Sequence, residues 1–74
     1  MDTEFSQLVR RYLKRRGLRR DELVRAMGLQ HMSRGQKQLS RWLRGTAVPS
    51  WVEAQSLADA LRIPIRYIQD ALAA

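Results

Sequence analysis

Cysteine is absent from this chain, and histidine occurs once, at position 31. No disulfide staples the fold, and no thiolate serves as nucleophile or metal ligand. A lone His31 does not make a protein-only metal site of the usual kind, so no metal or cofactor is expected. Long apolar runs are missing as well, and nothing approaches the roughly 20 residues of a membrane-spanning helix. The opening MDTEFSQLVRR starts acidic and holds no uninterrupted apolar segment, so a secretory signal is not expected and a cytoplasmic location is. No stretch alternates apolar and polar residues cleanly, which argues against a β architecture. No nucleophile, base and orienting partner assemble, and Asp21 with Glu22 or Glu53 with Asp59 read as helix-end or surface electrostatics. An enzyme is therefore not expected. The glycine loop and clustered aromatic platform of common RNA modules are missing too.

What is present is helical periodicity. Apolar residues make up 45% of the 74 positions, which suits one small domain over residues 1–74 and no second core. The net charge of +7 is unevenly placed: residues 1–45 hold twelve Lys/Arg against four Asp/Glu, and residues 46–74 hold two against three. The positive field thus belongs to the first part of the chain. Duplex DNA presents a dense line of phosphates to such a field, although an anionic membrane or an acidic protein presents charge of the same sign.

Residues 18–45 organise the rest, as two short amphipathic helices joined by an irregular turn. The second, from near Gln36 to Arg44, places Leu39, Trp42 and Leu43 at i, i+3 and i+4, one apolar stripe. Gln36, Lys37, Ser40, Arg41 and Arg44 occupy much of the remaining surface, the side-chain chemistry that reads base edges in a major groove. Exposed helix faces are also Lys/Arg/Gln-rich simply because they meet water. The helix before it spans about Arg20 to Met27 and buries Leu23, Val24 and Met27, with Leu18 packing from the approach. Asp21 and Glu22 suit its first turn. Arg19 and Arg20 stand at its entrance, where a phosphate meets guanidinium and backbone amides, or where they are ordinary solvated residues. Between the two helices, Leu29 or Met32 anchors the turn, and Ser33 or Gly35 leads into the next helix. His31 is a loop residue or lies near phosphate or a base edge. Arg34 stabilises the loop or contacts phosphate.

A first helix is expected from near Glu4 to Arg15 or Arg16, capped by Asp2 or Thr3 and stopped at Gly17. Its stripe is Phe5, Leu8, Val9 and Tyr12, with Leu13 at the edge. After Gly45, a left-handed cap position, Ser50 and Glu53 form a capping box that starts a fourth helix. That helix is expected to bury Trp51, Ala54, Leu57, Ala58 and Leu61, its alanines letting another helix approach closely. Ile63-Pro64-Ile65 opens a short fifth helix. Its apolar residues, Ile65, Tyr67, Ile68 and Leu72, are a candidate dimer surface or simply close the domain.

The Arg-rich end of the first helix before Gly17-Leu18, RRDELVRAMG at 19–28, LSRWLRG at 39–45, Pro49 and SLADALRIP at 56–64 together resemble the lambda repressor-like, Cro/C1-type (XRE-like) helix-turn-helix family. The resemblance runs from about Leu8 to Leu72. It implies an all-α, compact five-helix DNA-binding domain whose third helix is the recognition helix and whose second crosses the phosphate backbone. By that resemblance Gln36, Lys37 and Gln38 enter the groove, and Ser40 and Arg41 follow on the readable face. Arg20 falls where the family commonly has a backbone-contacting glutamine, Arg44 and Thr46 lie near the phosphate-contacting exit, and Lys14 and Arg16 reach flanking phosphates. Leu23, Val24, Leu39, Trp42, Leu57 and Leu61 match structural positions. The chain departs from the family in an enlarged turn before LSRWLRG, in Val24 where a small alanine is usual, and in the bulk of Trp42. The expectation is a homodimeric regulator, a repressor first, that binds double-stranded DNA at two half-sites. The alternative is an antitoxin-like or other protein-interaction module on a helix-turn-helix fold, which uses the Ile63 to Leu72 surface and binds DNA weakly and without sequence preference.

Overall fold

Thr3 begins the first helix by an exchange of bonds with Ser6. The Ser6 N–H donates to Thr3 Oγ1 at 3.0 Å, and the Thr3 N–H donates to Ser6 Oγ at 2.8 Å. Ser6 Oγ also donates to the Thr3 carbonyl at 3.0 Å, so this fully buried hydroxyl is satisfied within one turn. The helix that follows, α1, spans Glu4–Arg16 in a computed structural model that describes residues 2–28 and 35–74. The remaining helices are α2 (Arg20–Ala26), α3 (Gly35–Arg44), α4 (Trp51–Leu61) and α5 (Ile65–Ala73). The expectations for Leu29, His31, Met32, Ser33 and Arg34 lie outside the described residues.

Three of the helices stop in the same way. The N–H of Leu18 reaches back to the Leu13 carbonyl, that of Thr46 to Arg41, and that of Ile63 to Ala58, at 2.9 to 3.0 Å. Each fold-back needs a left-handed residue at its corner. Gly17 (φ 64°) and Gly45 (φ 74°) supply two of them, and the third is Arg62 at φ 58°. A side chain in that region costs roughly 1–2 kcal/mol. Arg16 braces the turn, its Nε donating to the Leu61 carbonyl at 3.0 Å and its Nη2 to the Arg62 carbonyl at 3.1 Å.

The helices form a compact all-α bundle of 31 × 23 × 22 Å. α1 packs on α3, α4 and α5, while α2 packs on α3 and α4, and α4 packs on α5. One core joins them: Phe5, Leu8, Val9, Tyr12 and Leu13 of α1, Leu23 and Val24 of α2, Leu39, Trp42 and Leu43 of α3, Ala54, Leu57, Ala58 and Leu61 of α4, with Ile63 and Ile68. Trp42 is the largest fully buried side chain, and the Phe5 ring meets it edge-on, centroids 6.2 Å apart. The small alanines of α4 are both buried. No helix among the described residues is long and apolar enough to cross a membrane.

One expectation is corrected and two are narrowed. Trp51 is not core: it is 56% exposed, because it is the first residue of α4 and the buried stripe of that helix starts one turn later, at Ala54. Ile68 is fully buried, and Ile65 and Leu72 pack partly against the same core, so the apolar face of α5 closes the domain. Of the expected dimer surface only Tyr67 is exposed. The second helix ends at Ala26, with Met27 as its half-buried cap.

Candidate nucleic-acid interface

Burial decides which side of α3 is available to a partner. Gly35, Leu39, Trp42 and Leu43 are turned into the core. What remains outside is polar or cationic, since α3 contains no Asp or Glu. Gln36, Lys37, Ser40, Arg41 and Arg44 line one open surface depression, so five of the expected reading and exit residues come together. Gln38 does not join them and is half-buried. Lys37 and Arg41 make no ion pair with a described carboxylate.

The exit of α3 is held from two sides. Arg10 of α1 donates through Nη2 to the Leu43 carbonyl at 2.7 Å, placing a cation at the negative end of the helix dipole. Thr46 donates its hydroxyl to the Arg41 carbonyl at 3.2 Å, which closes the last turn beneath the basic side chains. The first ties the end of α3 to α1, and the second is local to the last turn of α3.

The expected phosphate contacts are distributed differently. Lys14 is exposed near the end of α1. Arg16 is occupied at the end of α4 through the two carbonyls it braces. Arg19 is exposed but paired, its Nε lying 3.3 Å from Glu22 and 3.6 Å from Asp21. Its backbone N–H is also taken, accepted by Glu22 Oε1 at 3.0 Å. The entrance of α2 thus carries two carboxylates where a phosphate was expected to find open donors. Arg20 stands exposed beside them, and Arg34 lies outside the described residues.

Sequence reasoning missed Arg10, whose partner is 33 residues away and leaves no local signal. It also missed the exposure of Val48, Trp51 and Val52 just beyond α3. Comparison with protein-family models, with curated proteins and with solved structures returns no match.

Proposed function

We propose that this chain is a sequence-specific double-stranded DNA-binding transcriptional regulator of the lambda repressor-like kind, a repressor, that reads the major groove with α3. The observation that carries the reading is the outer face of that helix, where Gln36, Lys37, Ser40, Arg41 and Arg44 line one surface free of carboxylates belonging to the helix. Ten residues of helix are about 15 Å long, enough to lie across several base pairs in a groove about 12 Å wide. Arg41 and Lys37 suit the guanine edge, Gln36 suits adenine through its paired donor and acceptor, and Ser40 bonds either. Arg44, Thr46, Lys14 and Arg20 supply phosphate contacts that set register without reading sequence. The activity is binding with no chemical step. One such domain covers little DNA, so discrimination calls for two copies on related half-sites.

The test is selection from a random duplex library at near-physiological salt with nonspecific competitor, followed by sequencing. Enrichment of two related half-sites one or more helical turns apart is the expected result. A folded chain that enriches nothing overturns the reading and leaves a protein-interaction module.

A further inference from the structure

Three helices end around one recess. Arg16, the last residue of α1, Ala26, the last of α2, and Arg62, the cap of α4, line a hollow of about 320 Å³ together with Leu18 and Ala60. It shares no lining residue with the depression on α3. Arg16 is held in place there, since its Nε and Nη2 donate to the Leu61 and Arg62 carbonyls. Its Nη1 donors stay uncommitted among the described residues, and neither Arg16 nor Arg62 is paired with a carboxylate there. Helix ends account for only part of this charge. The free carbonyls of a helix C-terminus act as about half a negative charge, so three ends call for roughly one to two cations. The last turns of α1 and α2 and the cap of α4 carry five, Lys14, Arg15, Arg16, Arg25 and Arg62, against Asp59 in the last turn of α4. A positive surplus remains. Backbone geometry does not ask for arginine at 62 either. Gly17 and Gly45 make the equivalent corners without strain, whereas Arg62 is the one non-glycine residue at positive φ among those described.

We infer that Arg16 and Arg62 form a binding site for a small organic phosphate, with its phosphoryl oxygens on the guanidinium groups and its body against Leu18, Ala26 and Ala60. A guanidinium fork matches the spacing of phosphoryl oxygens and holds them by charge-assisted bonds. A phosphoryl group brings three strong acceptor oxygens, one more than a carboxylate, and so can serve both forks. The backbone phosphates of a nucleic acid offer the same chemistry. The hollow favours the free ester. A backbone phosphate carries a sugar on either side and is met by cations that project, whereas the recess falls at the lower end of small-molecule sites, about 300–1,000 Å³. A bound ester touches the ends of α1, α2 and α4 at once, so it stabilises the bundle as its concentration rises. The site stands independently of duplex reading by α3.

The probe is phenyl phosphate, titrated into the isotope-labelled chain and followed by amide NMR, with sodium chloride at matched ionic strength as the reference. Saturable shifts are expected at Gly17, Leu18, Ala26 and Arg62, half-complete near about millimolar ester, with a higher melting temperature. Arg62→Gly is expected to weaken binding about tenfold or more while the chain melts no lower, which separates loss of the site from loss of the fold. Arg62→Gln, which keeps a side chain at that corner, should lose binding as well, and Arg41→Ala should keep it. Shifts that chloride reproduces, shifts centred on Gln36 to Arg44, or binding unchanged in both Arg62 variants overturns the site. Anisotropy with a mixed-sequence duplex of about 30 bp separates the two sources of phosphate. Arg62→Gly is expected to cost the duplex far less than it costs the ester. An equal loss assigns the recess to the nucleic-acid backbone and overturns the small-molecule site, while a chain that binds the ester and no duplex sinks duplex reading alone.

Discussion

α3 and α4 are nearly the same length and bury the same kind of stripe, Leu39, Trp42 and Leu43 in one and Ala54, Leu57, Ala58 and Leu61 in the other. Both end in a chain folded back through a left-handed residue, Gly45 or Arg62. Their outer surfaces part company. α3 shows the solvent Gln36, Lys37, Arg41 and Arg44, whereas α4 shows Trp51, Val52, Gln55 and Asp59. The inward pattern makes both of them scaffold. Whatever separates a reading helix from a supporting one lies in residues that contribute little to the core.

The comparison breaks first if the two stripes are not equivalent. Trp42→Ala is expected to cost about 3–5 kcal/mol and Leu57→Ala about 2–5 kcal/mol, a large part of the stability of a domain this size. Urea unfolding followed by circular dichroism measures both, and a Leu57→Ala chain as stable as the parent would remove α4 from the core. The outer faces are compared by Arg41→Ala and Gln55→Ala. Arg41→Ala is expected to reduce preference for a selected site over a scrambled duplex by about 1–3 kcal/mol while melting stays within about 0.5 kcal/mol. Gln55→Ala should change neither, and equal losses from both would show that α3 has no special reading role.

The helix starts and ends sharpen the comparison further. Ser50→Ala removes the hydroxyl that accepts the Glu53 N–H and is expected to cost about 1 kcal/mol in thermal melts. Without a loss there, the box does not hold the first turn of α4. The smallest effect has the opposite sign. Arg62→Gly relieves the left-handed strain while keeping the carbonyl that Arg16 binds, for a gain of about 0.5–1 kcal/mol after the added freedom of the unfolded chain. Gly45→Ala should lose about 1 kcal/mol at the equivalent corner of α3. A destabilised Arg62→Gly chain would mean that the arginine side chain supports the turn by contacts of its own.

Much of the bundle was legible because its rules are local. The i, i+3, i+4 stripes, the Ser50–Glu53 box and the stops at Gly17 and Gly45 all act within a turn or two. Trp51 was misjudged because periodicity assigns a residue to a face and says nothing about where the neighbouring helices end. The same gap leaves Ile68 open between a dimer surface and closure of the domain, until the packing of α1 and α4 on α5 decides for closure. The left-handed Arg62 carries no glycine to announce it, and its brace comes from a side chain 46 residues earlier. For the candidate site, the alignment of Gln36, Lys37, Ser40, Arg41 and Arg44 followed from helical spacing alone. The positioning role of Arg10 did not.

Arg10 and Arg16 have a consequence for how binding should respond to salt. Each phosphate neutralised on a duplex releases condensed counterions, and log K falls by about 0.9 per contact for each unit of log salt. Counting the twelve cations of residues 1–45 would suggest a slope near 11. But Arg10 gives its guanidinium to the end of α3, Arg16 gives its own to the end of α4, and Arg19 is paired with carboxylates. A guanidinium bonded to a carbonyl keeps its charge but has donors committed to the fold, and one beside a carboxylate already has a counter-charge, so each is expected to add less to the slope than an unengaged cation. Part of the positive charge in this chain also serves as internal fastening, and a salt titration should register it as a slope smaller than that count.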